Sequence, residues 1–87
     1  MGYTVKEWFA NKIANEVKRN ITMCEVFAIL KETDKAVYAM LNLGCDFHKT
    51  MWLPKSVMIE NDNINTIHND NYDECVKLFK SMWNDYK

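Results

Sequence analysis

Glycine, proline and cysteine are scarce in this 87-residue chain, which contains two glycines, one proline and three cysteines. Two glycines leave no Gly-rich loop of the kind that holds phosphate groups. No serine stands in a Gly-x-Ser-x-Gly setting, the turn that presents the nucleophile in many hydrolases. The common catalytic motifs are therefore absent, and we expect a protein that is not an enzyme.

The sequence also lacks long apolar runs and a secretory signal. No apolar stretch reaches about 18 residues, so we expect no membrane span. The N-terminus has no basic segment followed by an apolar run and a cleavage site. The three cysteines, Cys24, Cys45 and Cys75, are odd in number and widely spaced, which is typical of reduced thiols. We expect a cytoplasmic protein.

The composition is that of a folded domain. Hydrophobic residues make up 48% of the chain and charged residues 26%, with a net charge of −1. This balance predicts one domain over residues 1–87, with a core that needs no disulfides. The overall charge gives no reason to expect nucleic-acid binding.

Helices are predicted at both ends of the chain. In the first, residues 4–19, Thr4 and Glu7 form a capping box, Tyr3 and Trp8 form a hydrophobic staple, and Asn20 ends the helix. The second, residues 72–86, has Asn71 as its cap. Its apolar residues recur at helical spacing: Tyr72, Cys75, Val76, Phe79, Met82, Trp83 and Tyr86.

Between the helices the pattern predicts three strands. They cover residues 21–31, 36–43 and 50–53, and the last stops at Pro54, which marks a sheet edge or a strand end. Residues 60–71 form a polar connection that Ile64 and Ile67 hold in place, with a very short strand there as an alternative. The expected fold is α+β in the order α-β-β-β-α, with a three-stranded antiparallel meander and both helices packed on one face. Both faces of the first strand are apolar, so the sheet is either covered on both sides or open to a partner.

Metal and cofactor sites are not predicted. Cys45 and His48 form a Cys-x-x-His pair in a turn, but a structural zinc site needs four ligands. The other candidate ligands, Cys24, His68 and Cys75, are scattered along the sequence. Free cysteine on an apolar face behaves as a small hydrophobic residue.

One segment carries charge of a single sign. Between residues 60 and 74 the acidic residues are Glu60, Asp62, Asp70, Asp73 and Glu74, with no lysine or arginine among them. Residues 1–59 carry eight basic and six acidic side chains, net +2, and residues 60–87 carry three basic and six acidic, net −3. A solvated loop and a helix start, where acids suit the helix dipole, explain such a run. The alternative is an acidic surface that faces a basic groove, such as one that holds nucleic acid.

Three further surfaces stay open as alternatives. Trp52 and Phe47 could stack on bases beside a basic patch, which would consist of Lys6, Lys12, Lys18, Arg19, Lys49 and Lys55. Met82, Trp83 and Tyr86 exceed what a three-stranded sheet can cover, and the surplus would make a homodimer or partner surface. If the protein has a small-ligand pocket, Cys45, His48 and His68 would be the first positions to mutate.

A short pattern in the middle of the chain is shared with other proteins. Lys35-Ala36-Val37 begins one predicted strand, and Trp52-Leu53-Pro54-Lys55-Ser56 ends the next. The pattern resembles small proteins encoded by phages and mobile elements, over less than a third of this chain. It carries over no catalytic residue. In size and in its lack of catalytic motifs, the chain is also similar to phage-borne inhibitors such as anti-CRISPR proteins.

These resemblances imply a phage or mobile-element accessory protein that inhibits a host defence nuclease by protein–protein contact. On this interpretation Glu60, Asp62, Asp70, Asp73 and Glu74 face a basic groove, with Trp83 and Tyr86 as anchors. The partner would be a host protein, such as a CRISPR nuclease or its complex, in the cytoplasm of the host cell. The alternative is a small nucleic-acid-binding accessory protein of phage replication or transcription, which would bind through the basic residues.

Overall fold

The computed structural model has a β-sheet with one helix on each face, and it describes residues 1–18, 20–44 and 46–84. The fold is α+β, as predicted. In chain order the elements are β1 (Gly2–Val5), α1 (Glu7–Val17), β2 (Glu25–Glu32), β3 (Ala36–Gly44), β4 (Phe47–Pro54), a 3-10 helix (Lys55–Val57), β5 (Met58–Asn61), β6 (Ile67–His68) and α2 (Tyr72–Asn84).

The sheet is larger than the predicted three-stranded meander. Within the described residues it has six strands, with the order β4-β3-β2-β1-β5 and antiparallel neighbours. The two-residue β6 pairs in parallel with β2, at Ala28 and Ile29. The meander β2-β3-β4 is present, and β6 is the very short strand considered at Ile67, but β1 and β5 were not predicted. β1 and β5 have four residues each, which is too short for a clear alternation of apolar and polar residues.

The helices pack on opposite faces of the sheet, so the prediction that both share one face was wrong. On one face Phe9 and Ile13 of α1 pack with Val26, Leu41 and Leu53. On the other face Cys75 and Phe79 of α2 pack with residues that include Ala28, Leu30 and Met40. Because β2 and β3 are apolar on both faces, a helix on one side alone would leave the other exposed to water.

Bulges in β2 decide which residues face each helix. Register shifts occur between Val26 and Ala28 and again between Ile29 and Lys31. Strict alternation would put Val26 and Ala28 on one face, yet Val26 and Ile29 pack on the α1 side, while Ala28 packs on the α2 side. An extra residue in one strand reverses the side-chain alternation beyond it.

The first helix begins later than predicted. Thr4 lies in β1, so the capping box with Glu7 and the staple of Tyr3 with Trp8 do not form. The helix begins after Lys6, which makes no side-chain cap, and the Lys6 N–H donates to Val57 O at 2.8 Å. Residues 2–5 instead pair as β1 between β2 and β5, where their backbone groups have partners.

The first helix also ends earlier than predicted. Lys18, not Asn20, adopts the left-handed conformation at the C-terminus, with φ of 53°. Its N–H donates to Ala14 O at 3.1 Å. A lysine can adopt this conformation, although glycine and asparagine are the commoner residues in it.

The second helix confirms its predicted start. Asn71 Oδ1 accepts a hydrogen bond from the Glu74 N–H at 3.0 Å, which is the expected N-cap contact. The Asn71 N–H in turn donates to Asn69 Oδ1 at 2.8 Å. Neither α1 nor α2 is long and apolar enough to cross a membrane, and they are the α-helices in the described part of the chain.

A single buried hydroxyl joins two strands, β1 and β2. Thr66 is 5% exposed, and its Oγ1 donates to Val26 O of β2 at 2.7 Å. The same oxygen accepts from the Tyr3 N–H of β1 at 3.1 Å, at the position where β1 gives way to β6 along the edge of β2. The hydroxyl therefore satisfies backbone groups that the change of strand would leave unpaired.

We expect Thr66→Val to lower the free energy of unfolding by about 1–3 kcal/mol, because it leaves the Tyr3 N–H and the Val26 carbonyl unsatisfied. Urea unfolding followed by circular dichroism measures this change. The matched control is Thr4→Val, since the Thr4 hydroxyl makes no side-chain hydrogen bond within the described residues. Equal stabilities of the two variants would contradict this role of Thr66.

Candidate functional site

A cleft on the α1 side of the sheet brings together side chains from six elements. Its volume is about 200 Å³, and its lining is Tyr3, Ile29, Glu32, Val37, Lys55, Met58 and His68. Ile29 and Val37 are buried and provide an apolar floor. Tyr3 is half-buried and His68 exposed. An apolar floor with a few polar groups at the rim is the usual composition of a binding site.

The charged groups of the cleft lie close together. Lys55 Nζ is 2.7 Å from Glu32 Oε2, and both side chains are partly exposed. The hydrogen bond and charge of Lys55 hold the pKa of Glu32 below its ordinary value, and His68 adds a smaller effect in the same direction. Solvent screens an exposed pair of this kind, so the pair contributes little to stability. Glu32 can therefore exchange Lys55 for a cation of a binding partner at little cost in stability.

The hairpin of β3 and β4 positions this ion pair. Ala36 pairs with Pro54, and the Lys55 N–H donates to Lys35 O at 2.8 Å. These contacts hold the start of the 3-10 helix beside the end of β2, where Glu32 lies. Residues 35–37 and 52–56 thus lie together at one end of the hairpin.

The acidic segment is divided between two parts of the fold. Glu60 belongs to β5, opposite Tyr3 on β1, and Asp62 follows that strand. The other members lie at or just before the start of α2. All five side chains are exposed: Glu60, Asp62, Asp70, Asp73 and Glu74.

Some of the residues predicted for contact or for a pocket lie outside the described part of the chain. Arg19, Cys45 and Tyr86 lie outside the described residues. Trp83 belongs to α2, the helix that the sequence predicted for it. The homodimer surface predicted around Met82, Trp83 and Tyr86 therefore stays a prediction.

The structure separates two members of the predicted basic patch, Lys18 and Lys55. Lys55 follows the last residue of β4. Lys18 comes just before a segment that contacts the opposite end of the β3–β4 hairpin, where the Thr22 N–H donates to Leu43 O. The eight residues of β4 between these ends span about 26 Å. Lys55 is also paired with Glu32.

The candidate metal ligands that the structure describes do not form a cluster. Within the described residues there is no group of three or more His, Cys, Asp and Glu side chains able to hold a metal ion. His48 packs against Phe79 of α2, with ring centroids 5.0 Å apart. Burial and the positive charge of Lys80 lower the pKa of His48, while Asp46 opposes them. The His48 imidazole therefore packs in the contact between β4 and α2.

The cleft was missed by sequence reasoning for a specific reason. The sequence predicts Tyr3 in a helix staple and Lys55 in a basic patch, so neither is expected in a cleft. The hairpin ends could have indicated that Glu32 and Lys55 are close, because the predicted strands bring these positions together. No pattern indicated Tyr3, since β1 was not predicted, whereas His68 was a candidate for a small-ligand pocket and lines this cleft.

Comparisons with protein-family models, with curated proteins and with solved structures gave no significant match.

The reactivity of the Cys24 thiol tests how well the core on the α1 side of the sheet is shielded from solvent. Burial raises the pKa of Cys24 from an ordinary value of 9.0 to about 11. Because the thiolate is the reactive form, we expect native Cys24 to be alkylated at pH 8 about 100-fold more slowly than a thiol of ordinary pKa. Iodoacetamide labelling with peptide mass spectrometry measures the rate at this position alone.

The matched control is Met23→Cys, which introduces an exposed thiol one residue away. Labelling of both sites in urea shows whether folding causes the difference. If native Cys24 reacts as fast as the cysteine at position 23, its pKa is not raised.

Proposed function

We propose that this chain is a small accessory protein of a phage or mobile element that inhibits a host defence nuclease of the anti-CRISPR type. It acts by contact in the host cytoplasm, without catalysing a reaction. The observation that carries the proposal is the exposure of five acidic side chains in a segment without lysine or arginine, which leaves them available to a basic partner.

The acidic side chains are not used within the fold. Among the described residues, Glu60, Asp62, Asp70, Asp73 and Glu74 form no salt bridge. Asp73 and Glu74 lie in the first turn of α2, where the helix dipole accounts for them. The dipole does not account for Glu60 and Asp62, which lie in and after β5. A partner with a Lys/Arg-rich groove supplies the missing counter-charges.

The cleft lies beside both parts of the acidic segment. Tyr3 of the cleft pairs with Glu60 across the strands, and His68 of the cleft is two residues before Asp70. At about 200 Å³, the cleft is smaller than the 300–1,000 Å³ typical of small-molecule sites. Its size suits a single side chain of a protein partner, which would anchor the contact while the surrounding acids steer association.

A tagged pull-down from host-cell lysate, with nuclease treatment and mass spectrometry, identifies the partner. We expect a stoichiometric subunit of a nuclease complex that survives the treatment. Recovery of nucleic acid alone, or of proteins lost on nuclease treatment, would instead support the nucleic-acid-binding alternative.

With the partner in hand, we expect charge reversal of Asp70→Lys, Asp73→Lys and Glu74→Lys together to slow association by about tenfold or more and to weaken its salt dependence. Association rates from surface plasmon resonance at two salt concentrations measure both effects. The matched control reverses three exposed acids elsewhere, Glu7→Lys, Glu16→Lys and Asp34→Lys, for the same change in net charge. Equal rates for the two triple variants would contradict the role of the acidic segment.

A further inference from the structure

The outer edge of β4 has no neighbouring strand within the described residues. β4 is the terminal strand of the sheet and has eight residues, twice as many as the other edge strand, β5. Its proline, Pro54, is the last residue, and its pairing with β3 shifts register only next to the turn, between Asn42 and Gly44. A long regular edge exposes backbone N–H and C=O groups that can pair with another strand.

The same strand carries two unsatisfied polar atoms. Among the described residues, His48 Nδ1 and Thr50 Oγ1 are the buried side-chain atoms that have no hydrogen-bond partner. Both residues face α2, since His48 pairs with Asn42 and Thr50 with Met40. Buried polar atoms without partners are rare in folded proteins. Both of these atoms belong to the edge strand β4, so a partner at this edge could supply the missing hydrogen bonds.

Among the symmetric registers of β4 against a second copy of itself, the one centred on Thr50 pairs the most residues without Pro54. Antiparallel partners that lie directly opposite share a face of the sheet, so the twofold axis must pass through a residue. An axis at Met51 would bring Pro54 into the ladder, where it cannot donate. An axis at Lys49 would place two lysines directly opposite each other. An axis at Thr50 avoids both problems and pairs residues 47–53.

In this register the unsatisfied atoms find partners. Thr50 lies opposite Thr50 of the second copy, where a change of χ1 lets the two hydroxyls hydrogen-bond. His48 lies opposite Trp52 of the second copy, whose indole N–H is a donor without an acceptor role. On the α1 side, Lys49 of one copy lies opposite Met51 of the other, so the two Lys49 ammonium groups are not directly opposite each other.

The register also covers exposed aromatic surface. Trp52 is 48% exposed, and its ring centroid is 5.3 Å from that of Tyr38 on β3. His48 contacts Phe79 of its own α2 at 5.0 Å. Pairing would join these contacts into one row across the junction, Tyr38 and Trp52 from one copy with His48 and Phe79 from the other. Aromatic residues of this kind are the usual anchors of an interface.

We propose that the chain forms a twofold homodimer in which two β4 strands pair antiparallel about Thr50, giving one continuous sheet. The occupant of the open edge is a second copy of this chain. The inference is independent of the proposed inhibitory function, because it rests on β4 and not on the acidic segment.

Size-exclusion chromatography with light scattering tests the proposal on the whole chain. We expect a mass of 20.6 kDa, twice 10.3 kDa, at high protein concentration. Trp52→Lys removes the indole donor at an exposed position, so we expect loss of the dimer with an unchanged circular dichroism spectrum. The matched control is Trp8→Lys, which replaces a tryptophan that is 61% exposed on α1 and should leave the dimer intact.

Cysteine crosslinking tests the register. Thr50→Cys should form a disulfide with its own copy under oxidation, since residues opposite each other in paired strands lie within disulfide range. Lys49→Cys should crosslink with Met51→Cys and not with itself, and the unmodified chain gives the background from its native cysteines.

A mass of 10.3 kDa at the highest soluble concentration would overturn the proposal. So would a dimer that survives Trp52→Lys but dissociates with Leu78→Lys on the outer side of α2, because the interface would then be helical. A Lys49→Cys chain that crosslinks with itself more readily than Thr50→Cys would overturn the register.

Discussion

A sheet that is apolar on both faces sets the main constraint on this fold. Each face must be covered, and the chain has one helix available for each. The 11 residues of α1 and the 13 of α2 span about 16 and 20 Å. Four spacings across β4-β3-β2-β1-β5 already measure about 19 Å, and β3 extends nine residues in the other direction. Two short helices cannot cover such a sheet completely.

The uncovered areas are the surfaces of interest. On the α1 face, the cleft between Tyr3, Glu32, Lys55 and His68 opens in the area that the helix does not fill. On the α2 face, Trp52 remains half-exposed beside Tyr38. Both surfaces combine apolar area with groups able to hydrogen-bond, so each can give a partner specificity as well as affinity.

Local signals identified most elements of this fold, and long-range pairing decided the rest. The Asn71 cap, the β3–β4 hairpin and the stop at Pro54 depend on residues near each other in sequence, and all were predicted. Thr4 and Glu7 gave an equally good local signal for a cap, yet strand pairing with residues about 20 and 55 positions away overrides it. The cleft depends on the same distant pairings, so its members could not be grouped from sequence. The acidic segment was visible because charge is a property of composition.

The two proposed contact surfaces do not compete for space. β4 is at one edge of the sheet, and β5, which carries Glu60, is at the other. Asp70 follows β6, which pairs with β2 on the side away from β3 and β4. A dimer joined through β4 would therefore present two acidic segments and two clefts outward. Two linked copies of a weak contact site can raise the apparent affinity for a repeated or symmetric target by about 100-fold or more without any new contact. Duplication through the open edge is therefore a direct physical route to tighter binding.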